Sequence, residues 1–230
     1  SEMCIRDRAS ASKQIAQTYF ALSPADVSLT AFYQRGDPML DIVLIAGSSR
    51  PDSQSAKVAH FLRQRLITLG KTSADSSQVI DLGSGPLPLW PAADNGTWAD
   101  YGARLQRADA VVVIAPEWNG MAGPAIKNFF IYASKAELAH KPGLLVGVSS
   151  GIGGGSPIAE LRSSSYKNCR INYLPEHLII RSVTKVLNEQ QPENEDDSRI
   201  RARIDYALDI LVKYGCLLYT SPSPRDATLS

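Results

Sequence analysis

The sequence predicts a doubly wound α/β domain of three layers. Its centre is a five-stranded parallel sheet in the order 2-1-3-4-5, with helices on both faces. Three observations carry this. Ile42-Val43-Leu44-Ile45-Ala46, Ala110-Val111-Val112-Val113-Ile114-Ala115 and Leu144-Leu145-Val146-Gly147-Val148 are unbroken apolar runs, as expected of parallel strands buried on both faces. Each run ends in a loop rich in Gly, Ser, Asn or Pro. A helical segment follows each loop, and such alternation, with right-handed crossovers, gives helices on both sides of the sheet.

Taken in order, strand 41–46 is the first apolar run, and helix 53–69 carries Leu62 and Leu66 at helical spacing. Strand 78–82 follows, then a Pro-rich loop to about 97 that includes Gly83 to Pro91, helix 98–107 and strand 110–115. Helix 123–136, strand 143–148, helix 156–167, a short strand 177–181 and a final helix 197–214 complete the domain. The acidic, amide-rich stretch Asn188–Asp197 reads as a solvated connection whose charge suits the N-terminus of the last helix.

Open α/β sheets bind ligands at the carboxyl ends of their strands, beside the point where strand order reverses. The strands ending at Ala46, Ala115 and Val148 are then neighbours, and their loops converge. The first loop, Gly47 to Ser55, offers backbone N–H groups at a helix N-terminus, the hydroxyls of Ser48, Ser53 and Ser55, the amide of Gln54 and the guanidinium of Arg50. Those are the groups a phosphate monoester needs. Ser53 or Asp52 equally suits a plain helix cap. The second loop, Pro116-Glu117-Trp118-Asn119-Gly120, supplies an aromatic plane and polar edges. The third, Ser149 to Gly155, lets backbone approach a ligand where Cβ atoms would intrude, or simply turns tightly.

At these residues the chain resembles the NADPH-dependent FMN reductase family of the flavodoxin-like fold, which includes quinone, azo-dye and chromate reductases. Its pattern Gly-Ser-x-Arg-x-x-Ser is met by Gly47, Ser48, Arg50 and Ser53. Its Pro-Glu-Tyr-Asn-Gly is met by Pro116, Glu117, Asn119 and Gly120, with Trp118 in place of tyrosine. Its Ser-x-Gly-x-x-Gly-Gly is met by Ser149, Gly151, Gly154 and Gly155. The resemblance spans about Met39 to Gly215.

It implies FMN as cofactor, held by Ser48, Arg50, Ser53, Gln54, Ser55, Pro116, Glu117, Trp118, Asn119, Gly120, Ser149, Gly151 and Gly154. NADPH or NADH is the implied co-substrate, and a quinone, azo compound, free flavin or metal oxyanion the acceptor. No residue is expected to be catalytic in its own right, because flavin N5 carries the chemistry, and Glu117 reads as structural. N–H groups of the glycine loop aimed at flavin N1 and the C2 oxygen would favour the reduced state. A flavodoxin-type one-electron carrier and a non-catalytic FMN-binding module are the alternatives. Flavodoxins are usually strongly acidic, whereas this chain has a formal net charge of +1.

The resemblance also implies a homodimer or homotetramer. The family commonly reads Lys-Asn-Ala-Ile-Asp-Trp after its second motif, where this chain has Lys127-Asn128-Phe129-Phe130-Ile131-Tyr132. Three large rings on so short a stretch are expected to turn at least one toward a partner.

A near-neutral charge gives no electrostatic footprint for nucleic acid or an anionic membrane, and no apolar run is long enough to span a bilayer. The histidines His60, His140 and His177 have no metal-ligand spacing. The cysteines are Cys4, Cys169 and Cys216.

The termini read differently from the domain. Met3-Cys4-Ile5-Arg6-Asp7 and Cys216-Leu217-Leu218-Tyr219-Thr220 can be encoded by opposite strands of one DNA sequence resembling a transposon-derived sequencing adapter. Residues 1–8 and 216–230 are therefore expected to be translated adapter, and 39–215 the FMN-binding domain. That leaves Cys169 as the one domain cysteine, which fits a reducing, cytoplasmic setting. Residues 9–38 are either leader read in frame before Met39 or a native extension with a helix over Gln14–Leu22.

Overall fold

A computed structural model describes residues 39–93 and 95–220. The expectations for 1–8, 9–38 and 221–230 fall outside the described residues. The strands are β1 (Ile42–Ala46), β2 (Ser77–Asp81), β3 (Ala110–Trp118), β4 (Met121–Ala122), β5 (Pro142–Val148) and β6 (Asn172–Ile180). The helices are α1 (Gln54–Thr68), α2 (Thr97–Arg107), α3 (Pro124–Tyr132), α4 (Lys135–Leu138), α5 (Ser156–Ser164), α6 (Tyr166–Cys169) and α7 (Glu195–Thr220).

The long strands form a parallel sheet in the order β2-β1-β3-β5-β6. This departs from the expected numbering by one unpredicted element, the two-residue strand β4, which pairs antiparallel with the end of β3. β1 and β5 are buried at every position. Their side chains alternate between two cores, because successive strand residues face opposite sides. Leu44, Val112 and Val146 pack with Leu62 and Leu66 of α1 and Leu208 and Leu211 of α7. Ile45, Val113 and Leu145 pack on the other face with Leu105 of α2, Ile126 and Phe129 of α3 and Leu161 of α5.

Element boundaries moved where local chemistry overrode periodicity. The expected helix 123–136 stops at Tyr132 because Ser134 and Glu137 form a capping box that starts α4 afresh. The last strand begins at Asn172 rather than 177. Its inward residues Leu174, Leu178 and Ile180 are fully buried, and Pro175 is tolerated because β6 is an edge strand. The final helix runs past the expected boundary at 215 as far as Thr220.

The three rings of α3 do not face outward. Phe129 and Phe130 are buried. Tyr132 lies edge-on to Trp90 at 5.4 Å and beside Trp98 at 5.5 Å, with its hydroxyl donating to the Pro88 carbonyl. The exposed side chain of that stretch is Ile131.

Candidate active site: a cleft at the carboxyl edge of the sheet

β1, β3 and β5 lie side by side in parallel register. Their loops therefore meet at one edge, around a cleft of about 480 Å³. That volume lies in the range of cofactor pockets.

The β1–α1 loop forms one wall. Ser53 caps α1, its Oγ accepting from Ala56 N at 3.1 Å, so the plain capping role is real. Ser48 is buried, and its Oγ accepts from Arg50 N at 3.2 Å, which fixes the turn. Gly83 carries the next loop against this one: a Cβ there would lie 2.1 Å from the Arg50 carbonyl oxygen. Two polar atoms of this wall have no protein partner among the described residues. They are Ser55 Oγ, in a residue only 1% exposed, and Gln54 Oε1. Buried polar groups are normally paired. The Gln54 amide can turn its NH₂ to the same place, so both side chains are ready donors to an anion. The Gln54 and Ser55 N–H groups that open the helix have no intrahelical acceptor and add to that set, while the Ala56 N–H is taken by Ser53 Oγ.

The β3 end forms the second wall, with Pro116, Glu117 and Trp118 lining the cleft. Trp118 is 45% exposed, and the Arg50 guanidinium carbon lies 4.4 Å from its ring centroid. The anticipated phosphate anchor and the anticipated aromatic plane thus touch each other across the cleft.

Asn119 and Gly120 do not line it. Trp118 pairs with Met121, and the two residues between them have φ of 47° and 74°. Positive φ at both positions is what a type I′ hairpin turn requires, and Asn-Gly is its preferred dipeptide. That dipeptide was the sequence signal for β4.

The third wall is the loop after β5. Ser149 and Gly151 line the cleft, and Gly154 does not. Gly154 has φ of 100°, and a Cβ there would meet Ile179 at 2.8 Å, so it serves the fold of the loop. Its N–H donates to Glu117 Oε2, while the Gly151 N–H donates to Ser149 Oγ at 3.2 Å. These two donors, expected to face a flavin, are used inside the protein. Through the bond from Gly154 the Glu117 carboxylate, which also lines the cleft, ties the second wall to the third. A Cβ at Gly151 would meet only Ser149 Oγ, at 4.0 Å, so the space beside it is open to a ligand.

Sequence reasoning missed Pro51, Asp52, Val148, Ser150 and Val183 as lining residues. Asp52 has φ of 49°. Val183 follows β6, where no motif pointed. It is held by Lys57, whose Nζ donates to the carbonyls of Val183 and Val186 at 2.6 and 3.0 Å and to Asn188 at 2.8 Å. Burial lowers the Lys57 pKa, and the nearby carboxylates of Asp197 and Glu193 oppose that shift. No group of three or more metal-ligating side chains occurs among the described residues. No described helix is long and apolar enough to cross a membrane.

The cleft therefore offers hydroxyl, amide and backbone donors along the β1–α1 wall and an exposed indole on the β3 wall, with the Arg50 guanidinium between them against that indole. That set fits a phosphorylated aromatic cofactor. The sequence pattern described as NADPH-dependent FMN reductase matches residues 40–185. A NADPH azoreductase of a Bacillus species is 24% identical over 145 residues, which cover 61% of this chain and 76% of that protein. A quinone reductase of Pseudomonas putida is 27% identical over 121 residues, covering 50% of this chain and 62% of that protein. Among solved structures, the flavoenzyme NAD(P)H:acceptor oxidoreductase of Paracoccus denitrificans shares the fold, with a TM-score of 0.56, 21% identity and coverage of 76% of this chain and 97% of that one.

Proposed function

The chain belongs to the NADPH-dependent FMN reductase family, and from that membership we propose a specific use of the cleft. FMN binds with its phosphate at the β1–α1 loop, and NADPH or NADH and then the acceptor use the open end in turn. When bound, FMN would supply the redox chemistry, hydride transfer from the nicotinamide and onward reduction of a quinone, azo compound, free flavin or metal oxyanion.

The protein's part is to bind and orient. Ser55 Oγ, the Gln54 amide and the Gln54 and Ser55 N–H groups would hold the phosphate, and Arg50 would neutralise it. Trp118 would present its ring to the flavin. Glu117 keeps the Gly153–Gly154 backbone in place. The unpartnered, buried Ser55 hydroxyl is the observation that carries this reading.

Arg50→Ala is expected to weaken FMN binding about ten- to a hundred-fold, the worth of one charge-assisted hydrogen bond to phosphate. Riboflavin lacks the phosphate and should bind the variant and the parent alike. Fluorescence titration with both flavins measures this, and equal losses would remove Arg50 from the phosphate site.

A homodimer or homotetramer remains part of this reading. Leu89, Trp90 and Ile131 are exposed apolar side chains on and beside α3, a surface suited to a second copy. Light scattering on FMN-loaded protein tests it, and a strict monomer at micromolar concentration contradicts it. A reducing, cytoplasmic setting is likewise proposed. The Cys169 thiol is buried and its pKa is raised by that burial, so it is a packed, inert side chain.

A further inference from the structure

A second cavity of about 610 Å³ adjoins the cofactor cleft. Gly151 and Val183 line the cleft, and their chain neighbours Ile152 and Ser182 line the second cavity. The wall between them is stitched through backbone. Ser182 N donates to the Gly151 carbonyl at 2.8 Å and Val183 N to the Ser149 carbonyl at 3.1 Å. Arg181 Nε adds a bond to the Ile152 carbonyl at 2.6 Å. These bonds join the loop after β5 to the segment after β6, so the second cavity is a site of its own and not an arm of the cleft.

Its lining is strongly cationic. Arg181, Lys185, Arg199 and Arg203 stand with a single carboxylate, Asp196. Arg199 pairs with Asp196, and Arg203 pairs with Glu176. Both side chains of the first pair are largely exposed, at 70% and 77%, so that pair contributes little and is easily redirected. Among the described residues, Lys185 Nζ has no hydrogen bond or ion pair, and the terminal nitrogens of Arg181 have none either. The same cavity is lined by the half-buried Ile179 and Ile200, and by Ile152, which is 88% exposed.

Two free cations with only one carboxylate in the lining favour a doubly charged anion, and a phosphate monoester carries about −1.5 to −2 at pH 7. A bare anion would leave the isoleucines in water. An aromatic body covers them and stacks on a guanidinium plane as well. The volume lies in the range of small-molecule sites.

We infer that this groove is a second ligand site, separate from the cofactor cleft, for a small aromatic phosphate monoester. The phosphate meets Lys185 and the free nitrogens of Arg181, and the ring lies on Ile179 and Ile200. The site stands whether or not the chain oxidises a reduced nucleotide.

Calorimetry on the FMN-loaded protein tests it, because FMN already fills the cleft. The probes are naphthyl phosphate, inorganic phosphate and naphthol. Naphthyl phosphate should bind once per chain, at least about ten-fold more tightly than either fragment. Lys185→Gln should weaken it about ten-fold and Lys185→Glu further. Lys185 is exposed and its ammonium has no partner, so both variants should melt with the parent. The visible flavin spectrum should not change as the probe binds. Four results would each overturn the site: no binding, binding that survives both substitutions, binding that displaces FMN or perturbs its spectrum, or inorganic phosphate binding as tightly as the aryl ester.

Discussion

Gly147→Ala is expected to lose FMN binding and thermal stability together. A Cβ on Gly147 would stand 1.9 Å from the Gly154 carbonyl oxygen. The new Cβ would be fixed directly to the backbone of a buried strand, and the oxygen it meets is backbone of a loop pinned by Glu117, so neither can swing aside. Overpacking of this kind costs roughly 1–3 kcal/mol, occasionally more. Relief requires the third wall of the cleft to move. Gly151→Ala is the control, since its Cβ would meet only Ser149 Oγ at 4.0 Å. Stability should stay within about 0.5 kcal/mol of the parent, while FMN affinity falls because the new methyl takes ligand space. Thermal melts and flavin titrations of the pair separate the two effects. Equal melting and equal binding in both variants would contradict the assignment of the third wall.

Asp197→Ala should produce the largest loss of stability. The side chain is fully buried. Its oxygens accept from Leu187 N at 3.0 Å, from Glu193 N at 3.2 Å and from both Nε and Nη2 of Arg201, at 3.1 and 3.0 Å. Arg201 in turn donates to the carbonyls of Glu189 and Gln190, so one ion pair gathers the whole connection between β6 and α7. Removing one partner of a buried pair costs about 3–5 kcal/mol, on the order of 10 °C in Tm for a domain of this size.

Burial pushes the Asp197 pKa up, but the hydrogen bonds from Arg201, Leu187 and Glu193 outweigh it and leave the carboxyl below its ordinary value. The unfolded chain therefore binds this proton more readily than the folded one. Its stabilisation is fully present above the unfolded value of about 3.9 and is lost as pH falls through the lower, folded value. Denaturant melts between neutral and acid pH should show the gap between parent and Asp197→Ala narrowing on acidification. A constant gap would exclude the ionised carboxylate as its source.

The sheet was legible because its evidence is dense: β1, β3 and β5 are unbroken apolar runs, and only strands buried on both faces read that way. The β1–α1 loop was legible as a wall of the cleft because it leaves a buried strand and opens a helix, although its Ser53 also does the plain capping its sequence allows. The glycine loop divides between the two purposes its sequence allows: Gly151 lines the cleft, and Gly154 serves the turn. Gly154 is glycine for its φ and for Ile179, and no sequence feature tells a turn glycine from one that admits a ligand. Asn119-Gly120 carried a hairpin signal that the flanking motif obscured. Val183, Lys57 and the basic groove were invisible because they assemble from β6, α1 and α7, segments far apart in the chain whose meeting only the fold determines. Asp197 looked like one more acid in a solvated stretch, and its partner Arg201 lies one turn further on, inside the helix.

Reduced-nucleotide oxidation by the FMN-loaded protein in the presence of a quinone tests the central claim most directly. The account predicts quinone reduction well above that given by the same concentration of free FMN, with parallel double-reciprocal lines when nucleotide and quinone are varied, because both substrates use the same open end of the cleft in turn. Protein that binds FMN at the β1–α1 loop but oxidises neither NADPH nor NADH with any quinone offered would contradict it and leave the cleft as that of a carrier or a binding module.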